Sequence, residues 1–221
     1  MQLNKYIDHT LLKASATKRD ILKLCDEAIK FQFYAVCING SYVPLVKEYL
    51  KGTNVKIATV VGFPLGAMDT ESKKQETINC LENGADEIDM VLNIGHLKSG
   101  RYESLMKEIT DIKKIVGDRI LKVILETCFL TKEEIIVASQ IAINSRADFV
   151  KTSTGFGTAG ATIEDVELMK EVVCDLALIK ASGGIKDYET AIKFINAGAS
   201  RLGTSSGVSI VTNSLINKES Y

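Results

Sequence analysis

Two lysines end runs of apolar residues in the second half of the chain. Lys151 closes the run F-V-K, and Lys180 closes the run L-I-K. A lone lysine at such a place usually snorkels or pairs with a carboxylate. Two of them on adjacent strands, which lie about 4.8 Å apart, can enter one pocket. Close cations destabilise each other's charged form, and a neutral amine can attack a carbonyl and form a Schiff base. The pair therefore predicts carbonyl chemistry.

Acidic residues lie within two other predicted strands. In the segment D-E-I-D-M-V, the two-residue period of a strand places Asp89 on the same side as Glu87 and Val91. An inward-facing Asp89 could move protons or balance the charge of the two lysines. A structural ion pair with one of the lysines is the alternative interpretation. Asp8 lies in the first predicted strand and is expected to orient a lysine.

Three glycine-rich turns follow apolar runs late in the chain. They read T-S-T-G-F-G-T-A-G from Thr152, S-G-G-I from Ser182 and G-T-S-S-G from Gly203. Glycines let backbone N–H groups approach an anion, and Ser205 and Ser206 add hydroxyl donors ahead of a predicted helix. Ordinary tight turns are the alternative, but the succession of such turns favours a phosphate site.

Other kinds of catalytic site are poorly supplied with residues. His9 and His96 form no H-x-x-x-H or H-E-x-x-H pattern, so no metal site is predicted and both are expected to be structural. The five cysteines are odd in number and widely spaced, which indicates reduced thiols in the cytoplasm. Cys37 is expected to be a small buried apolar residue.

The sequence also lacks nucleotide-binding motifs. Neither the phosphate-loop pattern nor the dinucleotide-binding pattern occurs in its usual context.

The segments that must position these residues are of two kinds, which alternate along the chain. Almost continuously apolar runs are typical of buried parallel strands, and we predict strands at 6–10, 34–38, 56–61, 87–91, 121–125, 149–151, 177–180 and 201–203. Segments of helical period lie between them, and we predict helices at 17–31, 41–51, 69–83, 97–116, 187–197 and 206–217. The patterns T-x-x-E from Thr131 and T-x-x-D from Thr162 resemble capping boxes that begin two more helices. Gly84 and Gly198 suit left-handed helix ends.

Eight strand–helix units in 221 residues predict a single (β/α)₈ TIM barrel that spans residues 1–221. A doubly wound sheet is the alternative, but it usually has a glycine-rich turn after its first strand. A net charge of −1 argues against a general nucleic-acid or membrane-surface binder. No signal peptide or membrane-spanning segment is predicted, which favours a cytoplasmic protein.

Several segments of the chain are similar to one known family. The segment K-T-S-T-G-F-G from Lys151 resembles the Schiff-base loop of the deoxyribose-phosphate aldolases. Further similar segments are D-H-T-L-L-K from Asp8, V-G-F-P-L-G from Val61, G-A-D-E-I-D-M-V from Gly84, E-T-C from Glu126, K-A-S-G-G-I from Lys180 and G-T-S-S-G from Gly203. The segments follow the order of the family, and the resemblance spans nearly the whole chain.

The resemblance implies a metal-free class I aldolase without a cofactor, which splits 2-deoxy-D-ribose 5-phosphate reversibly into D-glyceraldehyde 3-phosphate and acetaldehyde. Lys151 matches the Schiff-base lysine, Lys180 the second lysine, and Asp89 the proton-transfer partner. Asp8 and Thr152 are expected to support them. The positions that match phosphate ligands are Gly155, Gly183, Gly184, Gly203, Ser205 and Ser206.

Some members of the family carry a lysine where this chain has Phe156. The resemblance therefore implies that the phosphate is held here more by backbone amides than by a cation. It also suggests a homodimer. A different lysine-dependent aldolase on the same barrel and a catalytically silent sugar-phosphate sensor remain alternatives, which acetaldehyde release and turnover would distinguish.

Overall fold

The computed structural model describes residues 2–213. Eight parallel strands close into a barrel in chain order, with β8 paired to β1. The strands are β1 (Ile7–Leu11), β2 (Ala35–Ile38), β3 (Lys56–Val61), β4 (Glu87–Val91), β5 (Ile120–Ile124), β6 (Phe149–Lys151), β7 (Leu178–Ser182) and β8 (Arg201–Thr204). The predicted (β/α)₈ barrel is confirmed, and each predicted strand lies within two residues of the observed one at both ends.

Helices cover the outside of the barrel. Those of the described residues are α1 (Lys18–Phe31), α2 (Val43–Tyr49), α3 (Thr70–Glu82), α4 (Ile94–Lys98), α5 (Tyr102–Val116), α6 (Lys132–Asn144), α7 (Ile163–Val173), α8 (Tyr188–Asn196) and α9 (Gly207–Thr212). Thr131 and Glu134 form the predicted capping box at the start of α6, and Thr162 caps α7 by accepting the N–H of Asp165. Such caps satisfy N–H groups that the first turn of a helix leaves unpaired.

The predicted helix at 97–116 is wrong, because the structure divides this segment into α4 and α5. Gly100 lies between them with a φ of 68°, and its N–H donates to the carbonyl of Leu97. A left-handed glycine there ends α4 and lets the chain turn before α5 begins. The apolar period of the two helices alone did not reveal this break.

The last predicted helix, 206–217, agrees with the structure only in part. Helix α9 begins at Gly207 and ends at Thr212, and Asn213 follows in the left-handed region with a φ of 52°. Residues 214–217 and the terminal Tyr221, which we expected not to act within its own subunit, lie outside the described residues.

Strand alternation sorts the side chains into two layers. The large core cluster lies between the sheet and the helices and includes Val36, Ile88 and Val123. The residues next to these in sequence, such as Cys37, Asp89 and Lys122, belong instead to the barrel interior, where Cys37 joins a small second cluster and the other two form an ion pair. The interior therefore holds the reactive residue types, and the outer layer holds most of the apolar core.

Candidate active site

The Lys151 side chain lies at the carboxyl end of β6, almost completely buried at 2% exposure. Its Nζ donates to Asp89 Oδ2 at 2.8 Å. Lys151 also lines a cavity of about 310 Å³ that opens at this end of the barrel. A single amine therefore faces both a buried carboxylate and a space large enough for a small molecule.

Asp89 joins three lysines. Its Oδ2 accepts from Lys151 and, at 2.7 Å, from Lys180, while its Oδ1 accepts from Lys122 at 2.7 Å. Burial by itself would raise the pKa of Asp89, but the charges of the three lysines outweigh it and hold the pKa well below its usual value of 3.8. Asp89 is therefore a carboxylate, and it points into the barrel. The ion pair with a lysine, which the sequence left as the alternative interpretation, is present as well.

Lys180 is fully buried between two carboxylates. Its Nζ lies 2.5 Å from Asp8 Oδ2 and 2.7 Å from Asp89 Oδ2. Burial disfavours the charged form, yet Asp8 and Asp89 together raise the pKa of Lys180 above its ordinary value, so this lysine is a cation. Asp8 orients Lys180 as expected, and it also accepts from Arg201 Nε at 2.8 Å.

The two predicted lysines lie on adjacent strands, and their Cα positions are partners in the ladder between β6 and β7. The expectation of two amines acting directly on each other is incomplete, however, because Asp89 Oδ2 lies between them and accepts from both. The electrostatic pair is thus a larger cluster, in which each cation is balanced by carboxylates.

The structure adds three charged residues that the sequence analysis did not assign to the site. Lys122 contacts Glu87 at 2.6 Å in addition to Asp89, and Arg201 contacts Glu87 at 2.9 Å in addition to Asp8. Glu87 lies two residues before Asp89 on β4 and therefore on the same side of that strand. Lys122 interrupts the apolar run of β5. A charge within a buried run was the signal available for Lys122.

Seven charged side chains thus meet inside the described barrel. They are Asp8, Glu87, Asp89, Lys122, Lys151, Lys180 and Arg201. Three are carboxylates and four are cations, so the cluster is neutral when one cation gives up its proton. Within the described residues, Lys151 contacts one carboxylate of the cluster and each of the other three cations contacts two. Among the four cations of the cluster, Lys151 therefore has the fewest carboxylate partners.

Glycine-rich turns form the other end of the same cavity. Five of the six predicted phosphate positions line it together with Lys151: Gly155, Gly183, Gly184, Gly203 and Ser205. Gly183 packs so closely on Gly160 that a Cβ on Gly183 would lie 2.8 Å from the Gly160 Cα. A Cβ on Gly203 would lie 3.0 Å from Lys180 Cε. At these two positions a side chain would disturb the turn or the lysine.

Ser206 is the sixth predicted phosphate position, and it stays a prediction. Ser206 precedes α9 but does not line the cavity, and its N–H donates to Thr204 Oγ1 at 2.9 Å. Lys13 and Lys186 do line the cavity, as does Phe156. The expectation that backbone amides replace a missing cation therefore overlooked two lysines.

Thr152, predicted as a supporting residue, ties the end of β6 to the end of β7. Its hydroxyl donates to the carbonyl of Ser182 at 3.3 Å and accepts the Ser182 N–H at 3.1 Å. Its own N–H donates to the carbonyl of Lys180. These bonds keep the two lysine-bearing strands in register at the level of the cavity.

The histidines and Cys37 occupy structural places. His9 Nε2 lies 2.7 Å from Glu27 on α1, on the outer side of the sheet, and His96 contacts Arg101. Cys37 is fully buried inside the barrel, and burial raises the pKa of its thiol. A raised pKa keeps a thiol protonated and unreactive, in agreement with the prediction for this residue.

A buried lysine at the carboxyl end of a barrel strand, facing a cavity bounded by glycine turns, is the arrangement of a lysine-dependent (β/α)₈ enzyme. The sequence profile of the DeoC/LacD family aldolases matches residues 3–214. The chain belongs to the DeoC/LacD aldolase family and is an aldolase, a lyase.

Curated relatives resemble the chain over nearly all of its length. The deoxyribose-phosphate aldolase of Thermococcus gammatolerans is 57% identical over 215 residues, which cover 96% of each chain. That of Brevibacillus brevis is 54% identical over 100% of both chains. The tetrameric deoxyribose phosphate aldolase of Aeropyrum pernix superposes with a TM-score of 0.87 at 32% identity, covering 95% of this chain and 89% of the other.

No helix within the described range combines the length and apolar character that crossing a membrane requires. Between residues 2 and 213, no group of three or more His, Cys, Asp or Glu side chains is arranged to hold a metal ion.

Proposed function

We propose that this aldolase cleaves 2-deoxy-D-ribose 5-phosphate reversibly into D-glyceraldehyde 3-phosphate and acetaldehyde through a Schiff base on Lys151. The observation that carries the proposal is the cavity itself, which is bounded by the Lys151 amine and by the glycine turns after β6, β7 and β8. An aldehyde at the lysine and a phosphate at the turns are the two ends of this substrate.

Lys151 supplies the nucleophile. Its neutral amine adds to the open-chain aldehyde at C1, and loss of water leaves a protonated Schiff base. While the Lys151 amine is neutral, the rest of the cluster holds three cations and three carboxylates. The protonated Schiff base then accepts the electron pair of the C2–C3 bond as that bond breaks.

Asp89 and Lys180 manage the protons of the cleavage. The C3 hydroxyl loses its proton as the bond breaks, and glyceraldehyde 3-phosphate leaves. Because the pKa of Asp89 is held so low by its lysines, we assign to Asp89 the orientation of the proton-transferring water and of both amines, while the Lys180 cation balances its charge. The enamine that remains takes a proton at C2, and hydrolysis releases acetaldehyde.

The phosphate is assigned to the opposite end of the cavity. The turns at Gly155 and at Gly183 and Gly184 present backbone to this space, and Gly203 and Ser205 complete the wall. Lys13 and Lys186 line the same cavity and add positive charge. Backbone N–H groups together with cations are the usual means by which proteins hold phosphate.

Trapping with borohydride tests the proposal directly. Acetaldehyde and borohydride should attach a two-carbon group to Lys151, which peptide mass spectrometry locates, while Lys151→Met should remain unlabelled. The matched control is Lys98→Met, which removes a surface lysine paired with Glu134 and should leave labelling intact. Labelling at Lys180 instead, or no labelling, contradicts the proposal.

The metal-free mechanism has a separate test. We expect activity to be unchanged after exhaustive treatment with EDTA, because the Schiff base itself serves as the electron sink. Activity that falls with EDTA and returns with a divalent cation would identify a metal-dependent aldolase instead.

The proposal also includes the domain organisation, cellular compartment and assembly of the enzyme. We assign the whole chain, residues 1–221, to one barrel domain that works in the cytoplasm in the degradation of deoxyribose compounds. A homodimer is the assembly we expect, with no nucleic-acid or membrane partner. Sedimentation of the purified protein measures the assembly.

A further inference from the structure

Glu126 lies two residues beyond the end of β5 in an uncommon backbone conformation. Its φ of 57° and ψ of 63° place it in the left-handed region, which residues other than glycine rarely adopt. The residue is almost completely buried, at 2% exposure. The mechanism above does not use it. A buried carboxylate in a rare conformation beside an active site calls for a specific partner.

That partner is the loop that follows Lys151. Glu126 Oε1 accepts the N–H of Thr154 at 3.1 Å, and Oε2 accepts the Thr154 hydroxyl in a short hydrogen bond. The hydroxyl oxygen of Thr154 in turn accepts the N–H of Phe156 at 3.0 Å. Both carboxylate oxygens thus accept from Thr154, three positions after the lysine, and Oε1 also lies 3.9 Å from the Cys128 thiol.

The loop also packs against the Glu126 side chain. A Cβ on Gly157 would lie 3.2 Å from Glu126 Cδ and 2.7 Å from Cys128 Sγ, so only glycine fits there without displacing a neighbour. Glu126 therefore holds the loop at Thr154 and limits its path at Gly157. Between these two points lies Gly155, which lines the cavity.

Lys151 is held by different groups. The N–H of Leu125 donates to the Lys151 carbonyl at 2.9 Å, and the N–H of Thr127 donates to the Thr152 carbonyl at 3.0 Å. These bonds involve only backbone and do not depend on the side chain at position 126. The β5 end thus supports the lysine through its backbone and the loop beyond it through the Glu126 carboxylate.

We infer that Glu126 is a positioning residue for the phosphate end of the site: its carboxylate fixes Thr154 so that Gly155 faces the substrate phosphate. This inference rests on the proposed function, because it takes the cavity end at Gly155 as the phosphate site. Glu126 acts through the loop, so its loss should weaken the grip on phosphate more than it slows the chemistry at Lys151.

The experiment compares Glu126→Gln with the wild-type protein on 2-deoxyribose 5-phosphate and on unphosphorylated 2-deoxyribose. Glutamine keeps the length of the side chain but loses the charge and one acceptor. We expect KM for the phosphorylated sugar to rise about 10- to 100-fold, the range for a lost hydrogen bond to a charged group. The kcat, the kcat/KM for unphosphorylated deoxyribose and the rate of borohydride labelling at Lys151 should each change by less than about threefold.

Thr154→Val tests the same hydrogen bond from its other partner, and it tests the inference on its own if Glu126→Gln does not fold. It removes the hydroxyl that Glu126 accepts, so it should reproduce the rise in KM. The double variant should cost less than the product of the two single effects, because both remove one shared interaction. The matched control is Thr127→Val, whose hydroxyl has no hydrogen-bond partner among the described residues and whose backbone bond is retained. We expect its KM to be unchanged.

Three results would overturn the inference. Equal losses on both sugars, or loss of labelling at Lys151, would mean that Glu126 supports the barrel as a whole. An unchanged KM in both Glu126→Gln and Thr154→Val would mean that the loop keeps its conformation without the carboxylate. A wild-type protein that treats the two sugars alike would refute the phosphate assignment itself, which distinguishes failure of the proposed function from failure of the inference alone.

Discussion

The two sides of the barrel interior differ sharply in chemistry. On β2 and β3 the inward residues are small and apolar, namely Ala35, Cys37, Ala58 and Val60. The remaining strands carry the seven charged side chains of the cluster. Both sides belong to one closed sheet with the same two-residue alternation, so the difference lies in residue type and not in fold.

This difference shows how the barrel accommodates long charged side chains. Burial has the largest effect on the pKa of the Cys37 thiol, and the charges of Lys180, Asp89 and Lys151 also affect it. The charged cluster therefore lies close to the small residues of β2. Small side chains on one wall leave room for lysines from the other. They also exclude water, which strengthens every ion pair in the cluster. The apolar side thus supports the charged side without taking part in its chemistry.

The largest effect should follow from removing a charge at the centre of the charged side. In Lys180→Met the stem remains but Asp89 and Asp8 each lose a cation, so Lys151 becomes the only cation on Asp89 Oδ2. We expect the acidic limb of the rate profile to move to higher pH and activity at pH 7 to fall by about two to three orders of magnitude. Stopped-flow assays across pH measure both.

Lys180→Arg separates the two roles of this residue. Arginine retains the charge but does not give up a proton, so the profile should keep its position while the rate falls. A Lys180→Met protein with the wild-type rate and profile would show that Lys180 is only structural and that the charged side does not act as a unit.

The next effect concerns the cavity wall where the charged side meets the turns. Ser205→Glu places a carboxylate against the substrate phosphate and should raise KM for the phosphorylated sugar about 10- to 100-fold. Ser206→Glu should raise it by less than about threefold, because Ser206 does not line the cavity. The pair is a matched test, since both serines precede α9. Equal effects from the two variants would contradict the geometry of this turn.

Acid stability tests the cluster as a source of folding free energy. Burial alone would raise the pKa of Asp8, but Arg201 and Lys180 lower it from 3.8 to about 2. A depressed carboxyl pKa stabilises the fold above pH 4 and loses that contribution as pH falls toward 2. We expect about 2 kcal/mol of unfolding free energy to be lost through Asp8 over this range.

Denaturant unfolding between pH 5 and pH 2 measures that loss. Asp8→Asn should show a shallower dependence on pH than the wild-type protein, whereas Asp118→Asn, at an exposed position, should follow the wild-type curve. Parallel curves for wild type and Asp8→Asn would mean that Asp8 does not carry this part of the acid sensitivity.

The smallest effect belongs to the apolar side. Cys37→Ala removes a buried sulfur with a raised pKa, and we expect a loss of about 1 kcal/mol in unfolding free energy with activity within about threefold of wild type. Borohydride labelling at Lys151 should be unchanged. Loss of labelling would show that the apolar side shares in the chemistry, which would remove the distinction between the two sides.

Periodicity in the sequence determined which faces are buried and therefore most of the fold. The runs at Glu87–Val91 and Phe149–Lys151 were predicted with the observed bounds, because apolar residues such as Ile88 and Val150 face the helices. The same alternation placed Asp89 on one side of its strand with Glu87, and the structure shows that this side faces the barrel interior. The apolar period did not predict the helix break at Gly100, because one left-handed glycine changes the direction of the chain without changing the apolar pattern on either side.

The sequence also determined the lysine pair, because a cation at the end of an apolar strand is conspicuous without any partner. Closure of the barrel alone decided which charges meet. Arg201 pairs with Asp8 across 193 positions and with Glu87 across 114. The Glu126 contact with Thr154 likewise depends on a loop conformation that residue types do not reveal. Ion pairs and loop contacts follow from strand register and from the closing of β8 on β1, and both exist only once the chain has folded.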